Sequence, residues 1–192
     1  ALYVQEALSF INSHAIPLDA VALSCGPGSY TGLRIGTSTA KGICYGLDIP
    51  LITIPTLKLM CVQPLLYEDL EEDALLCPMI DARRMEVYTT VYDRSLTIKR
   101  DISADIVGPE TYLDLLEQSP VYFFGNGAQK CKDVIKHANA HFIETISPQA
   151  KFMLPLAEQA IAKKEFADVA YFEPLYLKEF VATKGKDLLA SN

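Results

Sequence analysis

Apolar residues recur along this chain with two periods that alternate. Over residues 1–13, Val4, Leu8 and Ile11 form one stripe with Tyr3, Ala7 and Phe10 beside it, the spacing of a helix that wants apolar neighbours on two sides. Residues 20–23 make a short buried-type strand, stopped by the glycine turn Cys25-Gly26-Pro27-Gly28. Ser29 is suited to an N-cap, and residues 29–47 to the helix it opens, which Asp48-Ile49-Pro50 ends. A second buried strand over 51–54 and a short helix over 56–66 complete an opening order α-β-α-β-α.

Residues 68–73 carry five acidic side chains among six positions, the pattern of a solvated linker. A boundary there predicts two units, 1–74 and 75–192. Beyond it, strands over 75–80, 86–92 and 96–107 read as a meander, and Gly108-Pro109 opens a helix over 110–118. A strand over 121–124 runs into the turn Gly125-Asn126-Gly127. Cys131, Val134, Ile135 and Ala138 then place a one-stripe helix over 128–138. A strand over 141–146 follows, and a last amphipathic helix over 152–164 tolerates Pro155 in its first turn. The second half therefore reads β-β-β-α-β-α-β-α, and the first half matches its final α-β-α-β-α. Two halves of one α/β architecture are implied.

Composition narrows the class. Of 192 residues, 50% are hydrophobic and 21% charged, which supports a packed core and excludes a disordered chain. With 17 Lys+Arg against 24 Asp+Glu, the formal charge of −7 argues against a protein that grips nucleic acid or an anionic membrane unaided. Five cysteines without a C-x-x-C pair point to neither a zinc ribbon nor a disulfide framework, so a reducing cytoplasm is expected. No apolar stretch reaches the ~18 residues of a membrane span.

The most informative stretch is Gly26-Pro27-Gly28-Ser29-Tyr30-Thr31-Gly32-Leu33-Arg34-Ile35-Gly36. A strand, a glycine turn and a helix start can together present amide N–H groups to an anion. Both phosphate-binding patterns fail in detail, since Thr31 stands where the dinucleotide fingerprint needs glycine and no Lys follows Gly32. A tight structural turn is the other reading. Gly32, Gly36 and Ala40 also recur every four residues, which bares one helix face. Each interior glycine costs about 1 kcal/mol relative to Ala, so the spacing implies a compensating close contact, within the fold or with a second subunit.

Other candidates are weaker. His137 and His141 are four apart, but Asn139 separates them from a common helix, and surface histidines are the plainer reading. Cys25 precedes a helix start with no nearby His to activate it. Asp81 with Arg83 or Glu86 is either an acid–base pair or a structural tie, of which the tie is the commoner. Ser29 has no recognisable base. Lys178, Lys184 and Lys186 form a tail that is either solvated or in contact with a partner or RNA.

Gly26 to Gly36, with IDARRMEVY over 80–88 and EPLYLK over 173–178, closely resembles the TsaB family, also called YeaZ, across nearly the whole chain. The resemblance implies an actin-like ATPase (ASKHA) fold of two ribonuclease-H-like domains. It also implies a non-catalytic role in making threonylcarbamoyladenosine in tRNA, beside the anticodon. The implied partners are the paralogue TsaD, as a heterodimer, and TsaE, recruited to the complex; alone the chain is expected to pair with itself, to touch tRNA only indirectly, and to bind no cofactor or metal. Residues Gly26, Pro27, Gly28, Ser29, Tyr30, Thr31, Arg34, Asp81 and Arg83 carry the family motif. Where TsaD has its metal-binding histidines this chain has Thr56 and Met60, neither of which replaces imidazole. Asp81-Ala82-Arg83-Arg84 stands where TsaD receives nucleotide phosphate.

Family members open with strands that do not precede Ala1, so the first unit is expected to be truncated and to expose a sheet edge. The partner seam is expected to combine Val4, Leu8 and Ile11 with Gly32, Gly36 and Ala40, and Gly36→Leu to weaken pairing with little effect on folding. The rival class is an enzyme of the same superfamily, ATP-binding or a metal-dependent hydrolase.

Overall fold

The computed structural model describes residues 2–178. The element order is α1 (Leu2–Ser13), β1 (Val21–Ser24), α2 (Tyr30–Leu47), β2 (Leu51–Ile54), α3 (Thr56–Tyr67), β3 (Leu75–Asp81), β4 (Glu86–Asp93), β5 (Ile98–Ile106), α4 (Leu113–Leu116), β6 (Val121–Phe124), α5 (Ala128–Cys131), β7 (Ala140–Ile143) and α6 (Leu154–Lys163). A 3-10 turn over Ala150–Met153 leads into α6.

Two sheets form. β1 and β2 pair in parallel, with Val21 opposite Leu51 and Ser24 opposite Ile54. The second sheet is mixed, in the order β5-β4-β3-β6-β7: the meander is antiparallel, and β6 and β7 add in parallel beside β3. Parallel addition needs a crossover, which the chain supplies through α4 and then α5. The outer edge of β1 carries no strand among the described residues, and all four of its residues are half-buried, whereas three of four in β2 are buried.

Strand alternation sorts side chains between layers. Cys77 and Met79 of β3 join Val87, Phe123, Tyr112 and Ile135 in a core under α4 and α5. Leu76, on the opposite face, joins Phe124, Tyr92 and the Leu57, Met60 and Cys61 side of α3. The β1–β2 sheet is filled by α2 on one face, through Ala40 and Cys44 against Leu51, and by α6 with α3 on the other, through Ile52, Ile54, Leu59 and Ala160.

Two predicted helices are shorter than their spacing suggests. The helix expected over 128–138 keeps Cys131 and Ile135 in the core, but its ladder breaks after Cys131 into tighter turns, Lys132 N–H to Gln129 and Val134 N–H to Cys131. Pairing with β6 draws the chain back to the sheet, because Val121 N–H already donates to Asn139 O at 2.8 Å. The segment 110–118 contains only the single turn Leu113–Leu116, enough to bury Tyr112 and Leu116. The strand expected from Leu96 begins at Ile98, since the Asp93 carboxylate accepts from Ser95 N–H (2.9 Å) and Thr97 N–H (3.0 Å) and turns the chain there.

Candidate partner interface and the glycine turn

The glycine turn is built inward from β1. Ser24 Oγ and Thr56 Oγ1 lie 2.8 Å apart, and Gly26 N–H donates to Thr56 Oγ1 at 3.1 Å. Thr56 is thus a buried clamp on the turn. Met60 lies four residues on in the core, so neither side chain is offered to a ligand. Gly26 has φ +109° and Pro27 is buried; the Gly26–Pro27 peptide is cis. Ser29 caps α2 by accepting from Gly32 N–H at 3.3 Å, which accounts for the serine without any nucleophilic role. Burial pushes the Cys25 thiol up to about 11, so it is protonated at neutral pH and poorly suited to attack.

Past the cap, α2 has distinct inner and outer stripes. The Arg34 guanidinium lies 4.2 Å from the centre of the Tyr30 ring and hydrogen-bonds its hydroxyl, and Tyr30 packs on Tyr176 at 4.7 Å between ring centroids. Gly32 and Thr31 are exposed. Gly36 is half-buried, and a Cβ there would touch Leu23 Cδ1 at 3.4 Å. Ala40 is only 5% exposed, in the cluster with Cys44 and Leu51. The every-fourth-residue ridge therefore runs from an exposed Gly32, through Gly36 against Leu23 of β1, to a buried Ala40. Ala40 is corrected from an interface residue to a core residue. Gly36→Leu likewise stops being a clean test of pairing, since the larger side chain would press on Leu23.

The outward stripe lies one position away. Ile35, Gly42 and Gly46 fall at i, i+7 and i+11; Ile35 is 63% exposed, and a Cβ at either glycine meets nothing within 4 Å. Tyr45 beside them is 86% exposed. α1 lies next to this stripe with no buried residue of its own: Val4, Leu8 and Ile11 are half-buried, while Leu2, Tyr3 and Phe10 are open to solvent. Between the two helices runs a groove of about 580 Å³ whose walls include Leu8, Ile11, Ile16, Gly42, Ile43 and Gly46. Sequence spacing contained this signal, because Gly42 and Gly46 repeat at four residues just as Gly32 and Gly36 do; only burial tells the two stripes apart.

At the end of β3 the structural tie forms with a different partner from those considered in the sequence. Asp81 Oδ1 accepts from the Arg83 backbone N–H at 2.9 Å, and its ion pair is with Lys130, whose Nζ also donates to Glu86 O at 2.6 Å. The Lys130 hydrogen bond, helped by the Arg83 amide, holds the Asp81 carboxyl below the usual aspartate range. Arg83 and Arg84 both take positive φ, 73° and 48°, in the β3–β4 turn. Lys178 pairs with the Glu86 carboxylate from the other side. His137 Nδ1 accepts from Asn139 N–H, whereas His141 stacks on Tyr122 at 4.8 Å, so the two histidines do separate jobs. Among the described residues, no three His, Cys, Asp or Glu side chains gather as a metal site, and no helix is long and apolar enough to cross a membrane. Lys184 and Lys186 lie outside the described residues.

This mixed α/β chain falls in the family that residues 2–186 match, described as TsaD: tRNA N6-adenosine threonylcarbamoyltransferase. The protein named tRNA threonylcarbamoyladenosine biosynthesis protein TsaB in Escherichia coli is 31% identical over 187 residues, covering 94% of this chain and 80% of that protein. Its namesake in Bacillus subtilis is 31% identical over 169 residues, 84% and 70% of the two chains. The solved structure of YeaZ from Pseudomonas aeruginosa shares the fold, with a TM-score of 0.69 at 23% identity over 92% of this chain and 86% of that one. The chain belongs to the TsaB (YeaZ) family of tRNA threonylcarbamoyladenosine biosynthesis proteins.

Proposed function

We propose that this chain is the non-catalytic docking subunit of the machinery that adds the threonylcarbamoyl group to tRNA, pairing with TsaD through the outer face of α1 and α2. The observation that carries the reading is that face itself. Helix α1 buries none of its residues, yet it and α2 present Tyr3, Phe10, Ile35 and Tyr45 around backbone bared at Gly42 and Gly46. A surface of large apolar side chains beside open glycines fits a second helical pair. Val4, Leu8, Ile11 and Gly32 stay in this interface; Gly36 acts at its inner margin.

Docking there would favour the active arrangement of the TsaD cleft by differential contact, a population shift that needs no chemistry from this chain. The reading extends to TsaE recruitment, self-pairing in the absence of TsaD, indirect contact with tRNA, no cofactor of its own and a cytoplasmic setting. It also takes the chain as two ribonuclease-H-like units of an actin-like fold, 1–74 and 75–192. The strand order of the five-stranded sheet supports this for the second unit. Support for a non-catalytic role comes from Thr56, committed to the turn, and from the protonated Cys25 thiol.

Reconstitution tests the proposal. The chain should co-elute with TsaD and raise its transfer of threonylcarbamoyl to tRNA, while giving no transfer alone. Micromolar ATP binding by the isolated chain, with no co-elution, would reverse the assignment in favour of an enzyme.

A further inference from the structure

After α6 the chain does not simply leave the fold. Residues 167–178 run back over it as a strap with anchors on both sheets. Ala167 N–H donates to Leu51 O at 2.8 Å, a single antiparallel bridge on the edge of β2 that β1 leaves free. The Asp168 carboxylate then turns the strap by accepting from Ala170 N–H (2.7 Å) and Tyr171 N–H (3.0 Å). Lys41 on α2 reaches up to two strap carbonyls, Ala170 O at 2.9 Å and Phe172 O at 3.1 Å. Val169 and Phe172 pack against the Ala40, Cys44 and Leu51 cluster. Leu175 N–H donates to Cys25 O at 2.8 Å, and the Tyr176 ring packs at a tilt against Tyr30. Finally Lys178 pairs with Glu86 at the root of the β3–β4 turn in the other sheet.

Gly26 explains why the glycine turn must be as it is. Its φ of +109° is left-handed, and a Cβ there would stand 2.7 Å from Leu175 O, a backbone atom that cannot swing aside. The turn can pass this close beneath the strap only without a side chain, and a Cβ at position 26 would force one of the two to shift.

We infer that residues 167–178 form a releasable clasp, which locks the α2–β1–β2 unit to the β3–β4 turn and opens without unfolding either sheet. None of residues 167–178 is fully buried, the character of a segment that opens below the global unfolding free energy. Among the described residues, the Lys178–Glu86 pair is the clasp's one ionic link to the five-stranded sheet, and it lies next to the Lys130–Asp81 tie. The clasp does not depend on which protein docks on α1 and α2.

Amide hydrogen exchange on the full chain tests this, read at Ala167 and Leu175 in the strap and at Leu75 and Val121 in the second sheet, whose N–H groups donate to Pro120 O and Asn139 O. Gly26→Ala should speed exchange at Ala167 and Leu175 at least tenfold and leave Leu75 and Val121 unchanged. Lys178→Met should speed Leu175 by a few-fold, as an exposed ion pair allows, and Lys178→Arg should not. In 1 M salt, where screening acts within about 3 Å, the natural chain should behave like Lys178→Met. Unchanged Ala167 and Leu175 rates in both Gly26→Ala and Lys178→Met would overturn the clasp. So would a rise shared equally with Leu75 and Val121, which would make the strap an inseparable part of the core.

Discussion

Tyr45 offers the sharpest test of the docking face. It stands at the end of α2 with 86% of its surface exposed, so truncating it removes almost nothing from the isolated chain. Moving a large apolar or aromatic side chain out of water contributes about 1.5–3 kcal/mol, and nearly all of Tyr45 remains available for a partner to cover. Taking about 2 kcal/mol, with ~1.4 kcal/mol per tenfold, Tyr45→Ala should weaken binding of TsaD by roughly 30-fold. Thermal melting of the variant alone should match the natural chain to within about 0.5 kcal/mol, the ordinary range for surface changes. Titration calorimetry against TsaD gives the affinity directly. A Kd within threefold of the natural value would refute the placement of the interface, because Tyr45 has no partner among the described residues that would give it another role. Gly42→Leu provides the steric counterpart: nothing lies within 4 Å of a Cβ there, so the monomer should tolerate it while a close-packed helix should not.

Three further outcomes follow from the same geometry. Asp105, 8% exposed, accepts from Tyr112 Oη at 3.0 Å and faces Arg100 at 3.1 Å, so Asp105→Ala should lower stability by about 2–3 kcal/mol in urea unfolding, and Asp105→Asn by less. The Asp81 carboxyl is held below its ordinary value of 3.8 by Lys130, so its stabilising contribution is complete above that pH and disappears as pH falls through the lower folded value; Lys130→Met should flatten the acid limb of a stability–pH curve below about pH 4. Thr56→Val leaves the buried Gly26 N–H without its acceptor and should cost about 1–2 kcal/mol by chemical denaturation, with any smaller loss indicating that the turn has found water.

The legible parts of the chain are those that local chemistry dictates. Ser29 announces the start of α2, Pro50 its end, and the alternation in β3 sorts Cys77 and Met79 from Leu76. The helix expected over 128–138 stops early because its apolar spacing is real but the ladder yields to β7, whose pairing with β6 begins at Asn139. Lys130 is hidden as the partner of Asp81 because the two are distant in sequence and meet only when β6 is laid beside β3.

Sequence alone determined the order of elements, the family, and the fact that α2 has glycines at helical spacing, since these depend on residue type and on neighbours a few positions away. Only the tertiary structure decided which glycines face outward. A helix carries every stripe its period allows, and the strand that covers one of them, here β1 through Leu23 against Gly36, is brought there by long-range packing that no local pattern encodes.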